Sequence, residues 1–287
     1  TPVIMATVHS SRVRSPSDVA LLAELTPRMD RLIVPSESIR KKVVAEGRIG
    51  ARFAVIPNGV DLSRFASTAP ACALRRQFGI PAGSPLLGVV ARLEPEKGHR
   101  YLIEAMPMIL AAAPNVWLAI VGEGSALRAL QAEAGSLGVG HRVVFTGRRE
   151  DVSALTADLT VAVLPSLREA QGISILEAMA RRVPVVASAV GGIPEVITSG
   201  VDGLLVPAAD PSALAGAVLE LLGDEALRRR IGDAGFATVR DRFSIDAQVK
   251  RVGLVYDAEL ARAGVLPSQS HRDPGPGGRA ALELPPL

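Results

Sequence analysis

Two short segments of this 287-residue sequence bring together side chains with chemistry to offer. The first is Ala91-Arg92-Leu93-Glu94-Pro95-Glu96-Lys97-Gly98, at the end of an apolar run and before a helix-like stretch. Arg92 presents a planar fork suited to two phosphate oxygens, and Lys97 a mobile point charge. A departing diphosphate needs that kind of charge stabilisation. The alternative is a solvated loop whose cations pair with Glu94 and Glu96. The second segment is Glu169-Ala170-Gln171-Gly172-Ile173-Ser174-Ile175-Leu176-Glu177. Gly172 lets the backbone approach a ligand closely, and the amides of Ile173 and Ser174 would open a helix, a natural seat for phosphate. Glu177, on the second turn, could accept hydrogen bonds from sugar hydroxyls, with Glu169 facing the same pocket. The alternative here is a capping arrangement with a surface glutamate.

Strands must deliver both segments to one edge of a sheet. Strand-like runs occur at Val3–Val8, Arg31–Pro35, Phe53–Ile56, Leu86–Leu93, Val116–Val121, Arg142–Thr146, Leu159–Leu164, Val183–Ala187 and Gly203–Val206. Helix-like stretches such as Tyr101–Ala113, Ser125–Leu137, Ile173–Arg182 and Pro211–Leu222 lie between them. Runs apolar at every position indicate strands covered on both faces, and their alternation with helices predicts a doubly wound α/β fold. Ligands of such folds sit at the carboxyl ends of the strands. Leu86 to Pro207 holds six strand candidates, enough for a complete Rossmann-like domain. The first three candidates would be the carboxyl-side part of a preceding one. The expected division is residues 1–61 for that remnant, 62–245 for the complete domain with a short helix near Cys72–Phe78, 246–264 for a helix crossing back, and 265–287 for a disordered tail rich in Pro and Gly. The opening at Thr1, directly in a strand-like run, is read as internal to a longer protein.

Composition narrows the class of partner. A 48% apolar content supplies a core, and with aromatics at 3% that core must be aliphatic. The net charge of +3 is small, and its longest basic cluster, Arg228-Arg229-Arg230, reads as a solvated helix face, so no nucleic acid is expected. The single cysteine, Cys72, excludes an internal disulfide framework. The four histidines are scattered and no Asp-x-Asp occurs, so no metal and no other cofactor is expected. No apolar run approaches the ~18 residues of a membrane-spanning helix.

The two glutamates, separated by seven residues and continuing into Ala178-Met179-Ala180 and Pro184-Val185-Val186-Ala187, carry a resemblance. Together with Arg92-Leu93…Lys97-Gly98, Pro57-Asn58-Gly59-Val60-Asp61, Val121-Gly122-Glu123-Gly124 and Gly191-Gly192-Ile193-Pro194-Glu195, in that family's order, they make the chain similar to the family 4 retaining glycosyltransferases of GT-B fold. The resemblance covers Thr1 to about Tyr256. It implies that Arg92 and Lys97 hold a donor diphosphate, and that Gly172, Ile173 and Ser174 offer backbone amides. It implies that Glu177 binds the ribose, that Gly122 lines the donor site and that Arg148, in Thr146-Gly147-Arg148-Arg149, lies by the base. Glu169 and His9 would stand beside the transferred sugar. Sugar would pass from a UDP- or GDP-sugar to a glycan, lipid or small-molecule acceptor, on one face, through an oxocarbenium-like state.

Ala91 replaces the family's usual glycine, and Gln171 takes a position usually aromatic or otherwise apolar, which would alter sugar packing. The family's first glycine-rich loop would precede Thr1. Its absence from this sequence leaves a non-catalytic nucleotide-sugar-binding module as one alternative, and a GT-B-type nucleotide-sugar epimerase is another. The expected location is the cytoplasm, the inner membrane face included, with any peripheral membrane contact made through the amino-terminal part.

Overall fold

The computed structural model describes residues 3–9, 15–66 and 73–265. Cys72 and the tail from 266 onward lie outside them. Two separate parallel sheets form. The first runs β1 (Met5–Thr7), β2 (Arg31–Val34), β3 (Arg52–Val55) in that order. The second comprises β4 (Leu86–Val90), β5 (Trp117–Val121), β6 (Val143–Gly147), β7 (Val161–Leu164), β8 (Val185–Ser188) and β9 (Leu204–Val206), ordered β6-β5-β4-β7-β8-β9. All nine expected strands are present, though β4 stops three residues early at Val90, β3 lies one residue earlier and β6 one later than expected, and β8 runs on to Ser188. Helices α1 (Pro16–Leu25) and α2 (Glu37–Ala45) accompany the first sheet. The rest of the chain adds α3 (Leu62–Phe65), α4 (Ala73–Phe78), α5 (His99–Ala112), α6 (Leu127–Ser136), α7 (Val152–Ala157), α8 (Ile173–Ala180), α9 (Ile193–Val196), α10 (Pro211–Gly223), α11 (Glu225–Arg242) and α12 (Ile245–Arg262).

The larger sheet shows why its strands are apolar throughout. Successive side chains of a strand face opposite sides. In β7, Val161 and Val163 enter the core beneath α5 and α10, while Ala162 and Leu164 enter the core beneath α8 and α11. In β5, Leu118 and Ile120 take the first side, Ala119 and Val121 the second. Polar side chains would be buried on either face, so they are confined to strand ends, Thr146 in β6 and the buried Ser188 in β8. Helix starts are fixed locally: the side chains of Ser36, Asp210, Asp224 and Ser244 each accept a hydrogen bond from a first-turn amide.

The chain then returns to the first sheet. Val60 and Ser244 pair as an isolated parallel bridge, with Val60 N–H donating to the Phe243 carbonyl at 2.9 Å. Helix α12 ends against β2 and β3, where the buried Glu259 carboxylate receives Arg31, Arg52 and Arg262. Arg31 and Arg52 are direct neighbours in the sheet register, so one carboxylate serves both.

Candidate nucleotide-sugar site

Because the six strands are parallel, all their carboxyl ends lie on one edge. Chain order runs outward from β4 through β5 to β6, then jumps back to β7 on the other side of β4. The loops after β4 and β7 therefore flank the topological switch point, where such sheets hold ligands. These are the loops that carry Arg92, Lys97 and Glu169.

The two loops are joined by their backbones. Leu167 N–H donates to the Glu96 carbonyl at 2.8 Å. Gly98 adopts φ 66°, and a Cβ there would run into the Pro165 carbonyl oxygen, so only glycine permits the approach. This brings the Lys97 ammonium onto Glu169 Oε1, which also accepts from Ser166 Oγ at 3.1 Å. Glu169 is buried at 9% exposure. Two groups expected from sequence to serve one ligand thus meet across the switch point.

Arg92 stands apart. Its side chain is 69% exposed and pairs only loosely with Glu96, at 3.4 Å. An exposed pair of this kind contributes little and leaves the guanidinium available. Glu94 instead caps the start of the next loop, accepting from Ser125 N–H at 3.2 Å and Ser125 Oγ at 2.7 Å. The hydroxyl holds its carboxyl below the ordinary range. The solvated-loop alternative is thus half realised, since Glu96 pairs an expected site cation and Glu94 does not.

Helix α8 opens at Gly172, whose φ of 87° turns the chain without a side-chain cap. Ile173 is exposed and Ser174 half-buried at its first turn. Glu177, one turn further, is half-buried, and burial raises its carboxyl above the ordinary value against the opposing charge of Arg64. Gly122 follows β5, with its backbone against the Ala91 carbonyl, which gives it a packing reason independent of any ligand. Arg148 follows β6 and is exposed; its neighbour Arg149 is held by Asp151 at 2.8 Å and Gln77 at 2.7 Å. His9 is exposed, two residues past β1 on the first sheet.

Gln171 departs from expectation. Its side chain is buried at 2% exposure and turned to the amino-terminal part. Gln171 Oε1 accepts from Asn58 N–H at 2.7 Å and Asn58 Nδ2 at 3.0 Å, and Nε2 donates to the Asn58 carbonyl at 3.0 Å. The sequence showed Gln171 as unusual without showing its partner, which is 113 residues away. Sequence reading also missed His99, at the first position of α5. It is buried with neither ring nitrogen hydrogen-bonded, and burial, then the charge of Lys97, lowers it to about 4. Among the described residues no three His, Cys, Asp or Glu side chains gather to hold a metal, and no helix is long and apolar enough to cross a membrane.

Comparison with known proteins agrees with this geometry. The model of the glycosyl transferases group 1 matches residues 72–238, and that of Glycosyltransferase Family 4 matches residues 2–64. A GDP-mannose-dependent monoacylated alpha-(1-6)-phosphatidylinositol monomannoside mannosyltransferase of Corynebacterium glutamicum is 35% identical over 72% of this chain and 56% of its own length. A GDP-mannose-dependent alpha-(1-6)-phosphatidylinositol monomannoside mannosyltransferase of Mycolicibacterium smegmatis is 37% identical over 63% of this chain and 50% of its own. The chain thus spans about half the length of the curated relatives it matches. Anabaena HepE, solved with UDP and glucose, superposes with a TM-score of 0.83 at 25% identity, covering 89% of this chain and 72% of that one. With its two parallel sheets of GT-B type, the chain belongs to the glycosyl transferases group 1 family.

Proposed function

We propose that this chain carries the donor site of a retaining glycosyltransferase that moves a sugar from a UDP- or GDP-sugar to a glycan, lipid or small-molecule acceptor. The observation that carries the reading is the meeting of Lys97 and Glu169 across the switch point, beside the open turn of α8. Lys97 and Arg92 would hold the diphosphate with the amides of Ile173 and Ser174. Glu177 would take the ribose, Arg148 and Gly122 would border the base and donor, and Glu169 and His9 would flank the sugar. As the bond from the anomeric carbon to the phosphate oxygen breaks, negative charge grows on the diphosphate, where two cations and a helix start stabilise it. The acceptor oxygen bonds the same face of the carbon, and its proton passes to the departing phosphate. No metal is required by this scheme.

We divide the chain into an amino-terminal, acceptor-side portion at residues 1–61, a donor domain at 62–245, and a returning helix at 246–264. The mannosyltransferase relatives and the UDP-bound neighbour support a nucleotide-sugar donor, and the relatives' phosphatidylinositol mannoside acceptors support a lipid-linked one. We place its work in the cytoplasm, at the inner membrane face, where a lipid-linked acceptor would meet a nucleotide-sugar donor.

Full-length enzyme incubated with GDP-mannose or UDP-glucose and a phosphatidylinositol mannoside is expected to transfer sugar rather than isomerise the donor. Glu169→Gln should lower turnover about 100-fold or more, the scale for losing a group aimed at the reacting centre, with nucleotide affinity kept. Glu177→Gln should weaken the free nucleotide and the whole donor alike, by about 1.5–3 kcal/mol, since ribose contacts are equal in ground and transition states. Full turnover by Glu169→Gln would remove it from the reacting sugar.

A further inference from the structure

The loop that seats Glu169 is held from outside its own sheet. Ala170, next to Glu169, packs in the core of the first sheet with Leu32, Val34 and Ile39. Its carbonyl accepts from Ser36 Oγ, at the carboxyl end of β2, at 2.7 Å. Gln171 then lays its carboxamide against the main chain of Asn58, beyond β3, accepting from its N–H and donating to its C=O. This is the exchange that two paired residues make in an antiparallel ladder, supplied here by one side chain. A carboxamide offers both a donor and an acceptor; an ionised carboxylate offers no donor, and an apolar side chain neither. Lost pairing would leave the Asn58 groups unsatisfied at a half-buried position.

We propose that Gln171 is a positioning residue that ties the Glu169 carboxylate to the amino-terminal sheet through Asn58. It does not pack on the sugar. The proposal rests on the glycosyltransferase reading for its consequence in turnover, and on hydrogen bonds alone for its mechanical part. Lys97 and Ser166 hold Glu169 on the donor side; Gln171 and Ala170 fix the same loop two residues and one residue along. A shift of the first sheet is therefore transmitted to the carboxylate, while Arg92 has no such tie among the contacts described.

Two measurements on the full-length protein test this separately. The first is amide exchange at Leu167 and Gly192, which donate to the Glu96 and Glu169 carbonyls. Gln171→Met, similar in length and without hydrogen-bonding capacity, should speed both at least tenfold and leave Ile120, inside β5, unchanged. Unchanged loop amides, or equal acceleration at Ile120, would overturn the positioning role. The second is kinetic. Gln171→Met should lower kcat at least tenfold with nucleotide diphosphate affinity and donor KM within threefold. Asn58→Ala, which removes only the Nδ2 contact, should stay within threefold of wild type in kcat. Equal kcat for wild type and Gln171→Met would overturn the proposal. A wild-type protein that neither transfers sugar nor binds nucleotide would sink the functional reading instead, with the exchange result still deciding the tie.

Discussion

At the scale of single residues, the site mixes groups that titrate with groups that cannot leave their charge state. His99 is the sharpest case. A buried imidazole without a hydrogen bond, beside Lys97, resists gaining a proton, and its value falls from 6.5 to about 4. Its folded value lies below its unfolded one, so its share of stability is present above pH 6.5 and is lost as pH falls toward 4. The size is about 3 kcal/mol by proton linkage. Replacing the imidazole with an apolar side chain removes a protonation penalty and leaves no orphaned polar atom. His99→Leu should therefore flatten the loss of stability between pH 6.5 and 4 measured by denaturant unfolding. A pH profile identical to wild type would show that the imidazole gains its proton freely. Residue types and spacing made Arg92, Lys97, Glu169 and Glu177 visible in the sequence. They did not reveal His99, because nothing local distinguishes a buried histidine from an exposed one.

At the scale of elements, apolar runs bounded by turn residues located every strand, since a doubly covered strand must be apolar at each position. Strand order was not legible: that β7 lies beside β4 depends on pairing over 70 residues of intervening chain, which no local pattern encodes. The link between helix α2 and Glu195 was not legible either. There the Glu37 and Ser38 amides each donate to a Glu195 oxygen at 2.8 Å, joining α2 to α9 over more than 150 residues. Helix α12 shows the same reach. Glu259 is 2% exposed and gathers Arg31, Arg52 and Arg262. Removing Glu259 leaves the shielded Arg31 uncompensated, while Arg52 and Arg262 reach solvent, at a cost of about 1.5–3 kcal/mol. Glu259→Ala should lose that much in denaturant unfolding of the full-length protein. A loss below about 1 kcal/mol, the value of an exposed pair, would mean the carboxylate is not an anchor.

At the scale of the whole molecule, the two sheets present their carboxyl edges to each other, and the loop carrying Glu169 is shared between them. Ala170 and Glu195 contact the start of α2 and Gln171 the segment just beyond β3, so the loops after β7 and β8 and the amino-terminal part form one polar seam. Sequence patterns predict both sheets but not the seam, because each of its hydrogen bonds joins residues more than 100 positions apart. We propose that the switch point between β4 and β7 holds a nucleotide diphosphate through Arg92 and Lys97. Titration calorimetry with GDP and UDP tests it directly. At least one of them should bind, with affinity weakened by about 1.5–3 kcal/mol in Arg92→Ala and in Lys97→Ala, the range for hydrogen bonds to charged groups. Affinity for both nucleotides unchanged in both variants would contradict it.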